Sequence, residues 1–406
     1  MTKTVELEAL RARYERALGD RTAPLAFVDL DALEHNARLM LEQASPLPIR
    51  LASKSIRSVA VLRHAYDLDE RFHGVMAFTV AEALHLAEAG FDDILVAYPS
   101  VDREALAAVA RRAAEGAPGR IVAMVDSVGG AEIVAEAARS AGVELPVAID
   151  LDAGFITAQG RVHIGPKRSP VRTAHQAAAL ARAIGALGGL RVVGVMAYEG
   201  QVAGVGDRVP GKPLRSAAIR AMQAASLREL RVRLPELVEA VRREAGELEI
   251  VNGGGTGSLA RTAAAGIVNE LAAGSGLYAP TLFDHYSSLR LRPAAFFALP
   301  VVRRPGPDTV TVLGGGYIAS GPPGPDRVPV PWLPAGLRLD PQEGAGEVQT
   351  PLHGRATAGL RLGDRVIFRH AKAGELCERF ATLLLVRGEE VVDEVPTYRG
   401  EGKTFL

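Results

Sequence analysis

The sequence predicts a (β/α)₈ barrel of the TIM type followed by a C-terminal all-β domain. Three observations lead there. From residue 24 to about 280, short apolar runs alternate with longer Ala/Arg/Glu-rich stretches of helical period. Eight such units in about 250 residues are the size of a (β/α)₈ barrel, with parallel strands covered by crossover helices. Beyond about residue 290 the helical period fades, and Gly and Pro residues separate short β-type runs. Periodicity alone leaves a doubly wound open sheet as an alternative.

The elements follow in order. Residues 1–20, MTKTVELEALRARYERALGD, have the pattern of a polar amphipathic helix rather than a signal peptide. The barrel is expected over 21–285, with strand candidates at 25–30, 49–53, 74–78, 93–98, 120–126, 146–152, 192–198, 248–254 and 267–271. Nine runs are one too many, so one is extra or belongs elsewhere. Helices are expected at 102–115 and 173–187, among others. The β domain takes 286–406, with strand-like runs at 307–315, 364–370, 381–388 and 389–395 and a Pro-rich loop at 321–336.

Composition narrows the function classes. The 406 residues include 47 basic and 47 acidic side chains, so no net charge marks a nucleic-acid partner. No apolar run reaches the roughly 20 residues of a membrane helix. The single cysteine, Cys377, has no intrachain partner for a disulfide, which suits a reducing, cytoplasmic setting. The expectation is a cytoplasmic enzyme acting on a small molecule.

Chemistry in such a barrel sits at the C-terminal ends of the strands. Lys54 follows one predicted strand, Asp150 and Asp152 another, and Tyr198 and Glu199 a third. The run Asn252-Gly253-Gly254-Gly255-Thr256-Gly257-Ser258 follows a fourth, and Gly274-Ser275-Gly276-Leu277-Tyr278 a fifth. The first glycine run lacks dinucleotide and P-loop spacing. It reads either as a tight strand-to-helix turn or as a phosphate loop whose free N–H groups favour an anion. A second such loop favours the phosphate. A rim lysine is a candidate for a Schiff base with a carbonyl. Lys54 facing two phosphate-type loops fits pyridoxal 5′-phosphate.

These residues bring out a resemblance to fold-type III pyridoxal-phosphate enzymes, the alanine racemase-like barrel with a β domain. More closely, the chain resembles the D-threonine aldolase and D-serine dehydratase group, in its amino acid deaminase/aldolase branch. The resemblance spans nearly the whole chain. It rests on LAFVDLDALEHN (25–36), LASKSIRS (51–58), RVHIGPKRSPV (161–171), GVMAYEG (194–200), VNGGGTGS (251–258), GGGYIASG (314–321), GEVQTP (346–351), RHAKAGELCERF (369–380) and TYRGEGK (397–403).

The resemblance implies that Lys54 carries the cofactor, and that Gly255, Thr256, Gly257, Ser258, Gly276 and Tyr278 contact its phosphate. Tyr198 then lies near the cofactor ring, and Arg168 either holds a substrate carboxylate or makes a surface salt bridge. Asp152, assigned to substrate binding with Asp150 near it, alternatively caps the following loop. Two departures from the family pattern stand out. Ala272-Ala273-Gly274 replaces Arg-x-Gly, which argues against racemase-type tuning of the ring. In His370-Ala371-Lys372 the histidine of the paired metal ligands of the β domain is kept, but Lys372 replaces the second ligand. Three readings of that segment compete: a divalent metal on His370 with Cys377 or Glu375, the Lys372 ammonium in the cation's place, or a solvated loop of ion pairs.

The implied activity is a lyase acting on β-hydroxy D-amino acids, giving glycine and an aldehyde by retro-aldol cleavage. The alternative is a dehydratase (deaminase) giving a 2-oxo acid and ammonia. A non-catalytic carrier of the cofactor is the alternative of another class, and the added β domain speaks against it. Both reactions need a group at the β-hydroxyl; Glu199 is the first candidate and His163 the next. The fold type implies a homodimer.

Overall fold

In the computed structural model, which describes residues 3–157 and 160–406, eight parallel strands close into a barrel. They are Ile49–Ala52, Phe72–Ala77, Asp93–Val96, Arg120–Val125, Leu145–Asp150, Leu190–Ala197, Ile250–Gly253 and Glu270–Ala273. The first and last of these pair with each other, Leu271 opposite Ile49, and that pairing closes the ring. An open doubly wound sheet is excluded. Inward side chains from successive strands, among them Met76, Leu95, Val122, Met124, Val193 and Ile250, fill the interior as a packed core. Outside it, helices such as Arg103–Ala114 and Ala174–Leu187 start at Asp102 and Thr173, whose side chains accept N–H bonds of the first turn.

The ninth strand-like run belongs elsewhere. Leu25–Asp29 lies in the nine-stranded sheet of the β domain, antiparallel to Ala295–Gly306 and parallel to Thr382–Arg387. The helix Lys3–Leu18 also packs there; residues 1 and 2 of the expected helix lie outside the described residues. Tyr14 meets Phe27 edge-on at 4.9 Å, and Phe27 stacks on Phe296 at 5.2 Å. The Tyr14 hydroxyl donates to the buried Asp29 carboxylate at 2.8 Å. The expected strand 267–271 forms slightly later, at Glu270–Ala273. No helix among the described residues is long and apolar enough to cross a membrane.

Near the N-terminal end of the barrel, Arg50 is buried and forks onto Glu270 at 2.7 and 2.9 Å. It also reaches Asp93 at 2.6 Å, which in turn accepts from Arg120. This network ties four strands below the floor, while the opposite end carries the open cavity.

Candidate active site

A cavity of about 390 Å³ opens at the C-terminal end of the barrel, within the size range of small-molecule sites. Met76, Met196 and Ala272 line its apolar part. Lys54 enters from the turn Ser53–Ser55 that ends the strand Ile49–Ala52. Its amine donates to the Tyr98 hydroxyl at 2.9 Å. Burial opposes ionisation of Tyr98, but Lys54 and Arg168 outweigh it and hold the phenol below its usual range. Tyr98 was absent from the sequence candidates, although it too follows an apolar strand run. Arg168 stands over the rings of both Tyr98 and Tyr198, 5.3 Å from each centroid. Burial pushes the Tyr198 hydroxyl up to about 12, so that ring stays neutral.

Two loops of bare backbone complete the lining: Gly254, Gly255 and Thr256 on one, Gly274 and Ser275 on the other. Gly254 has φ +82, which suits glycine. A Cβ on Gly255 would come within 2.9 Å of Ala203, and one on Gly274 within 2.4 Å of the Ala52 carbonyl. The loops are tied together, Gly276 N–H donating to Thr256 Oγ1 at 3.2 Å and Ser275 meeting Ser55 at 2.9 Å. The helix after the first loop is the single turn Leu259–Ala263, so anion affinity would rest on loop amides rather than on a helix dipole. An amine facing these loops across one cavity fits a cofactor that presents an aldehyde and a phosphate.

Several expected contacts lie behind the lining instead. Glu199 is buried and accepts from Ser258 Oγ at 2.8 Å, Gly254 N–H at 3.0 Å and Thr262 Oγ1. It braces the glycine loop and does not reach the cavity, which corrects its assignment to the β-hydroxyl. Ser258 is taken up by that contact, and Gly257 packs against Ala203 and Tyr286. The Tyr278 hydroxyl donates to the Ile56 carbonyl at 3.1 Å and is unavailable to a phosphate. Asp152 accepts from Gly154 N–H at 2.7 Å and Arg172 at 2.8 Å, so it pins its loop instead of meeting substrate. His163 lies beside Asp152 at 3.6 Å, outside the main cavity. Asp150 is buried; desolvation, with Asp126 and Asp152 adding to it against Arg168, pushes its carboxyl up to about 7.

The β domain supplies Ser320, Lys372 and Glu375 to the lining. The Lys372 amine donates to Ser320 Oγ at 3.1 Å. Burial lowers its pKa, with Arg327 and Lys54 adding repulsion. His370 does not reach the cavity. It is buried edge-on to Tyr278 at 6.3 Å, and burial with the neighbouring Arg369 drives its imidazole down to about 3, so it is neutral. The Cys377 thiol donates to the Ile56 carbonyl at 3.1 Å, and burial pushes it up to about 12. Among the described residues no three His, Cys, Asp or Glu side chains are grouped to hold a metal ion. With no such grouping, and with the Cys377 thiol turned to the Ile56 carbonyl, the donor set expected for a divalent metal at His370 and Cys377 does not fit.

The model of the alanine racemase N-terminal domain family matches residues 28–281. The chain belongs to that family. A 3-hydroxy-D-aspartate aldolase of Paracoccus denitrificans (strain Pd 1222) is 31% identical over 254 residues, covering 62% of this chain and 59% of that relative. The match thus spans less than two thirds of the relative's length. Among solved structures, D-threonine aldolase from Filomicrobium marinum superposes with a TM-score of 0.74 at 24% identity, covering 93% of this chain and 96% of that one. D-threo-3-hydroxyaspartate dehydratase from Delftia sp. HT23 gives 0.73 at 20% identity, covering 93% and 98%. These two share the barrel and the appended β domain, which establishes the fold over nearly the whole length.

Proposed function

We propose that the chain is a pyridoxal-phosphate-dependent lyase that cleaves β-hydroxy D-amino acids to glycine and an aldehyde. One observation carries this reading: the Lys54 amine shares a cavity with the bare backbone of Gly254–Thr256 and Gly274–Ser275. Family membership and the names of the relatives, two aldolases and a dehydratase, support it. Lys54 would hold the cofactor's aldehyde carbon, with Gly255, Thr256 and Ser275 around its phosphate. When bound, the cofactor supplies an electron sink for the bond broken at Cα.

The remaining work falls to side chains. Tyr98, held to the Lys54 amine, is placed to take a proton from that nitrogen and return it. Arg168 at the mouth can fork onto the amino acid carboxylate. Tyr198 stacks beneath it and limits water at the ring side of the cavity. Lys372, steadied by Ser320, is a cation that the β domain brings to the lining and can hold the substrate's β-oxygen. Ala272 in the lining leaves no cation at that position to keep a ring nitrogen unprotonated. Homodimer assembly and a cytoplasmic setting belong to this same reading.

Incubation with D-threonine and D-serine, assayed for acetaldehyde, glycine, pyruvate and ammonia, decides between outcomes. Glycine with acetaldehyde supports the aldolase; a 2-oxo acid with ammonia makes the chain a dehydratase. Turnover of neither, with a borohydride-reducible visible band, leaves a cofactor carrier. Survival of that band in Lys54→Ala would falsify the assignment of Lys54.

A further inference from the structure

The turn that carries Lys54 is held by hydrogen bonds within itself and by others to distant parts of the chain. The Lys54 carbonyl accepts from Arg57 Nε at 3.0 Å. The Ile56 carbonyl accepts from the Tyr278 hydroxyl and the Cys377 thiol, both at 3.1 Å. The Arg57 carbonyl accepts from the Tyr398 N–H at 2.9 Å, and the Ser58 hydroxyl donates to the Pro396 carbonyl at 2.8 Å. Tyr398 is itself anchored, its hydroxyl donating to the buried Glu82 at 2.8 Å. Gly374 lies so close that an added Cβ would come within 2.3 Å of the Lys54 carbonyl.

Arg57 stands at φ +51, the left-handed region that disfavours a side chain. Its guanidinium is paired with Glu378 and lies over the Phe78 ring at 5.3 Å. A conformation of this kind persists where its surroundings over-determine it, and such positions cluster at functional sites. Here the surroundings are segments 374–378 and 396–398 of the β domain together with Tyr278. Tyr278, Cys377 and Tyr398 are all buried and lie outside the cavity lining, whereas Arg57 is part of that lining.

We propose that Arg57, Tyr278, Cys377 and Tyr398 are positioning residues that hold the Lys54 turn in a strained conformation and so aim its amine into the cavity. The proposal rests on the reading of Lys54 as the cofactor lysine. It also gives the lone cysteine a role that needs neither a metal nor a reactive thiolate: a small buried donor to one carbonyl.

The test compares Arg57→Ala, Cys377→Ala, Cys377→Ser and Tyr278→Phe in the full chain. After removal of cofactor, acylation of Lys54 at mildly alkaline pH is followed by peptide mass spectrometry, with the exposed Lys212 as internal reference. Arg57→Ala and Cys377→Ala are expected to change the Lys54 rate severalfold and leave Lys212 unchanged. Cys377→Ser, which keeps a donor, is expected to restore the wild-type rate. Tyr278→Phe follows Cys377→Ala if it folds, and the other variants decide the matter if it does not. An unchanged Lys54 rate in Cys377→Ala overturns the proposal whatever Arg57→Ala does, since Arg57 also lines the cavity; so does an equal change at Lys212, which would mean general loosening. Absence of a reducible visible band in the wild-type holoprotein would instead reject the cofactor reading, and the labelling would still report on the turn.

Discussion

Tyr198 and Glu199 are neighbours that leave the strand Leu190–Ala197 toward opposite sides, as the two-residue period of extended chain requires. Tyr198 turns to the cavity, whereas Glu199 turns behind the glycine loop and collects three donors. Glu199→Gln leaves one oxygen and an NH₂ where donors already point, at a cost of about 1–3 kcal/mol for unsatisfied buried groups. The loop loosens, so equilibrium dialysis should show cofactor affinity weakened by roughly tenfold, the equivalent of about 1.4 kcal/mol. With cofactor saturating, kcat should stay within a few-fold of wild type, whereas loss of a general base costs about 10²–10⁴-fold. A kcat loss of that size with unchanged affinity would restore Glu199 to the chemistry. The sequence made Lys54, Tyr198 and the glycine run legible because each is polar chemistry just past a buried strand. It did not make their facing legible, so Glu199, Tyr278 and Asp152 read as lining residues. Side-chain direction there depends on hydrogen-bond partners that lie mostly tens to hundreds of residues away.

At the scale of elements, eight barrel strands were readable as apolar runs at regular spacing, yet Leu25–Asp29 carried the same signal. A strand buried on both faces reads alike whether a barrel or a flat sheet covers it. The partner strands that decide the matter, Ala295–Gly306 and Thr382–Arg387, lie far along the chain. Glu270–Ala273 was placed early because its sequence, ELAA, lacks the β-branched residues that mark strands. Its position is secured by charge instead: Glu270 is locked to Arg50 on the neighbouring strand, and Asn252 donates to it from the other side at 2.8 Å. Removing one partner of a buried pair leaves an uncompensated charge, so Arg50→Ala should cost about 3–5 kcal/mol. Arg50→Met, which refills the volume, still strands Glu270 and should lie near that range. The double variant Arg50→Met/Glu270→Leu should recover much of the loss. Urea denaturation measures all three; equal stability of Arg50→Ala and wild type would show the network to be idle.

For the whole molecule, the two architectural parts are joined by more than a linker. Leu25–Asp29 enters the β sheet before the chain has made any barrel strand, and the C-terminal segment returns to the barrel, where Tyr398 meets Glu82 and Glu401 meets His85 at 2.9 Å. The barrel interior is built from its own strands, but the apolar layer outside it is continuous with the β domain, with Leu376, Cys377 and Leu383 in the same cluster as Leu51 and Ile56. Unfolding should therefore be a single cooperative event in spite of a length at which domains usually separate. The chain offers a clean pair of probes. Its one tryptophan, Trp332, lies in the β domain under the Arg369 guanidinium at 4.8 Å, and most of the helix surrounds the barrel. Tryptophan fluorescence and far-UV circular dichroism should then give coincident urea transitions. Phe296→Ala, which empties the stack with Phe27 and Tyr14, should lower both midpoints together by the equivalent of about 3–5 kcal/mol. If the fluorescence midpoint moved alone, the β domain would be an independent unit. The Lys54 turn would then have to keep its shape without the contacts from 374–378 and 396–398.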